Sequence, residues 1–386
     1  MRPQRRYHQT RRGTFWGDYV FDQVVKPRHF LIALRELFDW EEMAERFICV
    51  YEGEALRGRP PYHPALIFKM LFLSFLFDLS ERMVEDVASD SLSMRYFLGL
   101  ALDERVPDST TLGVFKRRLV KKRKWHLFEE AFDEMIRQAR AKGLVMGKIQ
   151  VVDSVHTVAD VNNEKDRSRQ EKEGKPSRDR GAQIVNKGKR RVVGPDGKER
   201  IKQIRYKGYK THVSVNAETG IVTTVVPTPG NRADNKVFPQ LLAHDQALEL
   251  PTTTYGGDRA YDDTDIHERI EGAGLHSGIC LNNYRTKKKD ANKQRWIDLL
   301  ATPEHEAASK VRYRVEQPFG TAKQKHGFGR CRYLGLLRYG IQTFVTFMVV
   351  NCKRIIKLLT GITFRPLAKG CRRELFTPVY ATLPWA

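Results

Sequence analysis

The sequence predicts an α/β fold in which an all-α N-terminal part precedes a domain built on a mixed sheet. Apolar residues recur at helical spacing across residues 30–144. From residue 148 onward, short apolar runs bounded by glycine, proline and polar residues are typical of strands. Helical segments separate the later strands, which indicates that some of them pair in parallel.

Composition and charge limit the kinds of function that the protein can have. The chain has 386 residues, and Lys plus Arg outnumber Asp plus Glu by 68 to 46, for a net charge of +22. This balance favours a polyanionic partner, most simply nucleic acid, over a merely basic solvated surface. The five cysteines show no Cys/His spacing typical of zinc. The first residues lack the apolar segment of a secretory signal, and the run TFVTFMVVNC is too short to span a bilayer, so we expect a cytoplasmic protein without a membrane partner.

The first predicted segment is a basic arm over residues 1–29. Its first 13 residues contain five arginines and no acidic residue: Arg2, Arg5, Arg6, Arg11 and Arg12. Such an arm contacts DNA phosphates or serves as a solubilising tail.

Residues 30–145 form the predicted helical domain. The apolar run His63–Phe77 predicts a core helix, Ser80 and Ser91 are placed to cap the next two, and Asp108 or Ser109 caps a fourth. The fourth helix ends in a cationic cluster: Lys116, Arg117, Arg118, Lys121, Lys122, Arg123 and Lys124. Short helices ending in a basic one indicate a helix-turn-helix-like DNA-binding domain, the alternative being a plain dimerisation domain.

Residues 146–360 are the predicted α/β domain, and residues 361–386 a tail without a recognisable motif. Lys148–Ser154 is the first strand. A polar, basic insertion follows at about residues 162–205, interpreted as loop with a small hairpin near Pro195, Asp196 and Gly197. It either follows a DNA backbone or is a solvated insertion.

A second hairpin with its turn at Glu218–Gly220 follows, and then the strands TTTYGGD and LHSGICL alternate with helices. The order β-β-β-α-β-α-β-α is what an RNase H-like domain needs, with about five strands and acidic residues at strand ends. The segment NNYRTKKKDANKQRW interleaves cations with aromatics and is either a surface loop or a contact for a nucleic acid strand.

Three carboxylates stand out as candidate metal ligands. Asp153 and Asp258 each end an apolar run, and Glu316 lies in the segment Val311–His326. As a continuous helix, this segment places Arg312, Glu316 and Lys323 on one side. Hard carboxylate oxygens suit Mg²⁺ or Mn²⁺, and three of them can hold two ions for phosphoryl transfer.

Asp153 in VVDS, Asp258 in GGDRAY and the spacing Arg312-x3-Glu316-x6-Lys323 resemble the DDE signature of InsH-type bacterial insertion-sequence transposases. The resemblance covers residues 40–355 and includes the helical domain. Ser309 occupies the position where that family usually has a tyrosine.

The resemblance implies an enzyme that binds the terminal inverted repeats of an insertion sequence and catalyses DNA cleavage and strand transfer. It implies that Asp153, Asp258 and Glu316 are the catalytic metal ligands, with Mg²⁺ as cofactor and Mn²⁺ as its substitute. Arg312 would contact phosphate and Lys323 the terminal DNA strand. The partners would be double-stranded DNA, at the repeats and at the target, and a second copy in a synaptic complex. Its location would be the bacterial cytoplasm, at the nucleoid.

Two alternatives remain open from the sequence: a catalytically inactive DNA-binding derivative, and a structure-specific nuclease that cuts without joining. His156, His212 and His326 lie near the motifs and are interpreted as structural. Asn231 and Asp234, in GNRADN, are expected to shape the site.

Overall fold

A computed structural model gives the fold and describes residues 7, 15–51, 60–193, 197, 199–287 and 290–366. Residues 1–6 and 8–14 of the predicted basic arm, which include its five arginines, and the tail beyond residue 366 therefore lie outside the described residues. The second half of the arm contains helix α1, Phe15–Val24.

The described part of residues 30–145 is helical, as predicted. Its helices are α2 Phe30–Leu37, α3 Trp40–Glu45, α4 Pro64–Leu76, α5 Glu81–Asp90, α6 Leu92–Leu98, α7 Ser109–Lys121 and α8 Leu127–Ala141, with a 3₁₀ turn at Arg46–Val50. The caps are confirmed, since Ser80, Ser91 and Asp108 each accept a backbone N–H from the third residue of the following helix. Helix α4 is buried on nearly all sides, as its continuous apolar run predicts.

The remaining chain builds one sheet. Its strands are β1 Ile149–Val158, β2 Gln183–Val193, β3 Glu199–Asn216, β4 Val222–Pro229, β5 Thr254–Gly257 and β6 His276–Ile279. Its helices are α9 Asn163–Glu173, α10 Phe238–Ala247, α11 Thr264–Gly272, α12 Lys293–Leu300, α13 Pro303–Val311, α14 Glu316–Lys325 and α15 Leu336–Thr360, with 3₁₀ turns at Arg259–Tyr261 and Arg312–Val315.

The sheet has six strands in the order β2-β3-β1-β5-β6, and β4 also pairs with β3. Strand β3 is antiparallel to β1, β2 and β4, whereas β1, β5 and β6 are mutually parallel. This mixed sheet with flanking helices is the RNase H-like arrangement that the element order predicts. The sixth strand is β2, which pairs with the first half of β3.

The predicted insertion is more ordered than its composition suggests. The interpretation as mostly loop is wrong, because residues 162–205 contain α9 and most of a long β2–β3 hairpin. The hairpin itself was predicted, but only near its turn, and the turn residues Pro195 and Asp196 lie outside the described residues. Cross-strand hydrogen bonds stabilise these strands although few of their side chains are buried, so hydrophobic patterning did not reveal them.

Two predicted element boundaries also change. Strand β1 does not end at Ser154 but continues to Val158, because antiparallel pairing with β3 extends to the pair Val158–Gly208. The predicted helix Val311–His326 is broken by the 3₁₀ turn, and α14 begins at Glu316. Pro318 lacks a backbone N–H, so it favours the first turn of a new helix over the interior of a continuous one.

Helix α15 ties the two parts of the chain together. It contacts α2, α4, α7 and α8 on one side and β3, β4 and α14 on the other. One hydrophobic cluster consequently runs from the helical region through α15 to the sheet. No described helix, α15 included, is both long and apolar enough to cross a membrane.

Candidate active site

Two of the predicted catalytic acids lie side by side at one edge of the parallel strands. Val152 of β1 pairs in parallel register with Gly257 of β5, so the next residues along the two strands are Asp153 and Asp258. Asp153 Oδ1 accepts a hydrogen bond of 2.7 Å from the Ser154 backbone N–H. Asp258 Oδ1 accepts one of 2.9 Å from Ala260 and so caps the 3₁₀ turn that follows β5.

The pKa of Asp153 reflects its burial and the charged groups near it. Burial raises the pKa of Asp153 to about 6, and the negative charges of Asp258 and Asp234 raise it further, while the Ser154 N–H and the positive charge of Arg312 oppose the shift. Arg312 therefore lies close enough for its charge to act on Asp153, and its predicted contact with phosphate stays a prediction. A carboxyl group surrounded by other carboxylates is typical of a cation-binding or acid–base site.

Asp234 is the third acid of this cluster, and its environment differs. Its carboxylate lies 2.9 Å from Lys210 Nζ and 3.1 Å from His212 Nδ1. Burial acts to raise the pKa of Asp234, but the hydrogen bonds from His212 and Lys210 and the Lys210 charge outweigh it and lower the pKa. Asp234 is therefore held as an anion by partners from the protein.

Lys210 and His212 reach this position because they lie on β3, next to β1. His212 is the direct cross-strand neighbour of Ser154, and its Nε2 lies 3.1 Å from Thr228 Oγ1. His212 was predicted to be structural, and its burial among these partners agrees with that role. Lys210 was missed, because no local pattern indicates that a strand lysine will meet a loop aspartate 24 residues later.

Glu316, the third predicted ligand, is the first residue of α14 and is exposed. Among the described residues, no three His, Cys, Asp or Glu side chains are gathered closely enough to hold a metal ion. The structure thus brings Asp153 and Asp258 together, and the role of Glu316 as their partner stays a prediction. Arg312 and Glu316 also no longer share one side of a continuous α-helix, because Arg312 lies in a 3₁₀ turn, which has about three residues per turn.

Close packing of α13 on the sheet positions the Arg312 turn. A side-chain carbon at Gly278 would overlap the methyl group of Ala308, and one at Gly256 would lie 3.4 Å from it. The two glycines therefore let α13 approach β5 and β6 closely. A cavity of about 660 Å³ opens beside this contact, and its lining includes Asp258, Arg312 and Ser309.

The cationic cluster at the C-terminal end of α7 is only partly available to a ligand. Lys116 is the exception to the prediction, because it is buried, ion-paired with Glu81 and 4.0 Å from the ring centre of Tyr333. The other predicted DNA contacts are exposed or half-buried: Arg117, Arg118, Lys121, Lys122, Arg123 and Lys124. Lys323, on α14, is exposed.

The two other histidines near the motifs differ in environment. His326 is buried, its Nδ1 lies 2.9 Å from the Phe75 carbonyl of α4, and its Nε2 lies 3.2 Å from Lys353 Nζ. It therefore links the end of α14 to the helical region. His156, on β1, contacts the ring of Tyr206 edge-on at 6.2 Å.

Comparison with solved structures finds distant similarities. The chain is similar to the piggyBac transposase in a cryo-EM synaptic complex with hairpin DNA, at 9% identity over 92% of this chain and 83% of that one, with a TM-score of 0.43. It is also similar to the Mos1 transposase in a paired-end complex with the left transposon end, at 11% identity over 74% and 86% of the two chains, with a TM-score of 0.21. At these scores, neither similarity supports a conclusion about this chain.

Two family models match the sequence itself. Residues 19–118 match the model described as Transposase domain (DUF772), and residues 152–352 match the model described as Transposase DDE domain. The second match covers more than half of the chain and contains Asp153, Asp258 and Glu316. The chain therefore belongs to the DDE transposase family, an enzyme family that generally uses a divalent metal ion.

Proposed function

We propose that this transposase is of the InsH type and mobilises an insertion sequence by cutting DNA at its terminal inverted repeats and joining the freed ends to target DNA. The observation that carries the proposal is the register of β1 and β5, which sets Asp153 beside Asp258. Acids at adjacent ends of parallel strands can act on one phosphate group.

The two neighbouring carboxylates of Asp153 and Asp258 are of the ligand type that a divalent cation prefers. The pKa of Asp153 is raised by burial and by the charges of Asp258 and Asp234, so a cation placed beside these carboxylates would stabilise their ionised forms. Asp153, Asp258 and Glu316 would hold Mg²⁺, or Mn²⁺ in its place. When bound, such an ion supplies positive charge to the attacking and leaving oxygens of phosphoryl transfer.

The residues around the acids have separate tasks. Lys210 and His212 keep Asp234 ionised and fixed, so that it contributes negative charge to the site without moving. Arg312 binds the phosphate that reacts, because its guanidinium group can donate two hydrogen bonds to phosphate oxygens. The cavity beside Asp258 and Arg312 leaves room for the nucleotide that carries this phosphate.

DNA binding is assigned to the basic end of α7 and to Lys323. The proposed contacts in the helical region are Arg117, Arg118, Lys121, Lys122, Arg123 and Lys124. Lys116 is left out because Glu81 already neutralises it. Two element ends must react together, so we expect at least a dimer in the synaptic complex, at the bacterial nucleoid.

The test compares Glu316→Gln with Lys323→Ala on uncut and pre-cut element ends. Glu316→Gln removes a charged metal ligand, so we expect cleavage and strand transfer to fall by at least about 10³-fold while DNA-end binding is retained. Lys323→Ala removes a phosphate contact, so we expect a loss of about 10-fold that low salt partly restores.

The outcomes separate the alternatives. Near-normal strand transfer by Glu316→Gln would remove Glu316 from the active site. Cleavage without joining by the wild-type protein, on its own element ends, would indicate a nuclease. DNA binding without cleavage or joining at any Mg²⁺ or Mn²⁺ concentration would indicate an inactive derivative.

A further inference from the structure

The β2–β3 hairpin extends beyond the rest of the sheet as a two-stranded ribbon. Strand β3 pairs with β1 only over residues 208–216, whereas its earlier residues, 199–207, pair with β2 alone. At about 3.3 Å per residue, the unsupported part is about 25–30 Å long. A register shift between Asn186 and Lys189, with Gly188 at a φ of 85°, increases the local twist.

Most of the described side chains of this ribbon are exposed, on both of its faces, although Val185 near its base is buried, and the segment is basic in sequence. Residues 183–207 contain nine Lys or Arg and two Asp or Glu. The side chain of Arg191 is 80% exposed, and Arg200 and Arg205 are also exposed. Apolar residues are interspersed with these cations: Ile201 is 68% exposed, and its direct cross-strand neighbour is Arg191. Apolar groups held in solvent among cations suggest a partner that is anionic and also offers apolar contacts.

The base of the ribbon is fixed, so its direction is set. Lys207 Nζ lies 3.1 Å from Asp166 of α9, and Asp166 also accepts a hydrogen bond of 2.8 Å from the Arg178 backbone N–H. Tyr209 stacks on Tyr339 at 4.5 Å and donates a hydrogen bond of 2.6 Å to Asp179.

Strand β3 then continues directly from the ribbon to Lys210 and on to Val213, the cross-strand neighbour of Asp153. The ribbon is therefore continuous with the strand beside the acid cluster, and Glu199, the first residue of β3, lies about 45 Å from Val213 along the strand by the same rise per residue.

We propose that this ribbon is a DNA-binding arm that lies in the major groove of the element end. The major groove is wide enough for a two-stranded ribbon and exposes thymine methyl groups between two rows of phosphates. Ile201 and Val193 lie with Arg191 on one face of the ribbon, so they are placed to contact bases or methyl groups on that side. The long arginine side chains are placed to contact the phosphates on either side. The inference rests on the proposed function, since it takes the transposon end as the DNA.

A second copy of the chain is a weaker candidate for the same surface. The outer edge of β2 could pair with another strand, but pairing two ribbons would bring together two segments that each carry a formal net charge of +7, from nine cations and two acids. A DNA duplex instead supplies about one negative charge per 1.7 Å of its length.

The test uses the full-length protein with Arg191, Arg200 and Arg205 all changed to Gln. These side chains are exposed, so the melting temperature should not change. A control with the same loss of charge changes Lys142, Lys148 and Lys357 to Gln, which are also exposed; Lys148 precedes β1 at the end opposite the ribbon. Binding is measured by fluorescence anisotropy on an inverted-repeat duplex at several salt concentrations.

For the ribbon variant, we expect affinity at about 0.15 M salt to fall by about 10–100-fold and the salt slope to fall by about two to three, since each lost phosphate contact removes about 0.9. The control should keep the wild-type slope. Protection of guanine N7 from methylation, a major-groove signal, should disappear within about 14 base pairs of the cleavage site. Ile201→Ser should change the preference among sequences and leave the slope unchanged.

Several results would overturn the inference. An unchanged slope in the ribbon variant, or unchanged N7 protection, would remove the ribbon from the groove. If sedimentation of DNA-free protein shows that the variant loses a dimer while DNA affinity is kept, the ribbon is an interface between copies. If the wild-type protein itself neither binds nor joins element ends, the proposed function fails instead.

Discussion

The ammonium group of Lys210 lies 2.9 Å from the carboxylate of Asp234, whose charge also raises the pKa of Asp153. Lys210 therefore offsets part of the negative charge that the site gathers. We predict that Lys210→Met lowers strand transfer by about 10–100-fold, because Asp234 loses the partner that fixes its carboxylate.

A matched control for this substitution is Lys116→Met. Among the described residues, Lys116 is the other buried lysine that is ion-paired with a carboxylate, which is that of Glu81. It should lower thermal stability without changing strand transfer per folded molecule. Equal activity losses in both variants would show that Lys210 acts through stability alone.

The acid cluster should destabilise the metal-free protein near neutral pH. Because burial raises the pKa of Asp153 from its ordinary 3.8 to about 6, the folded state binds more protons than the unfolded state between these values. Stability from this group therefore falls as pH rises from 4 to 6, by up to about 3 kcal/mol above pH 6.

Asp153→Asn should accordingly be inactive yet more stable than wild type at pH 7.5 in a metal chelator, and no more stable at about pH 3.5. Chemical denaturation at both pH values measures the difference. Asp160→Asn is the control, because Asp160 is ion-paired with Arg330 beyond the end of β1. A gain of the same size in the control, or none at Asp153, would contradict the prediction.

The contact between Gly278 and Ala308 should tolerate little added volume. We predict that Gly278→Ala destabilises the protein by about 1–3 kcal/mol and reduces activity, because α13 must move away from β6 and takes the Arg312 turn with it. Ala308→Gly should partly rescue it by removing the overlapping methyl group. A double-mutant cycle measured by denaturation gives the coupling free energy between the two positions. Strictly additive effects would show that α13 does not pack closely against Gly278.

His326 should make stability fall at mildly acidic pH. Burial lowers its pKa to about 3, with the nearby Lys353 charge adding to the effect, so the folded state binds fewer protons than the unfolded state below pH 6.5. Stability from this group is complete above pH 6.5 and falls by about 1.4 kcal/mol per pH unit below it.

His326→Gln should reduce this slope between pH 6 and 4, since glutamine can still donate to the Phe75 carbonyl and does not titrate. His276→Gln, at an exposed strand end, should leave the slope unchanged. An unchanged slope in His326→Gln would mean that another group controls acid unfolding.

The sequence predicted those features that depend on neighbouring residues. Capping by Ser80, Ser91 and Asp108 is a contact across three residues, and the position of Asp258 after a short apolar strand follows from periodicity. The order of strands and helices then sufficed for the RNase H-like arrangement.

The missed features depend on contacts between distant segments. The pairing of β1 with β3 extends β1 past Asp153, and the Lys210–Asp234 ion pair joins β3 to a loop. Lys116 has the sequence context of a surface cation, and only the fold shows that Glu81 and Tyr333 enclose it. Pro318 was a local signal for the break before α14, and it was available in the sequence.

The continuous core around α15 limits how this enzyme can diversify. Because α15 contacts α4 and α8 as well as β4, the helical region is not an independent cassette that can be exchanged between related enzymes at a linker near residue 146. A chimaera joined there would pack a foreign helical region against a mismatched face of α15, which stays with its own sheet, and would leave apolar surface uncovered. New recognition of element ends is therefore expected to arise by substitution of surface residues, while the shared interior changes slowly and in concert.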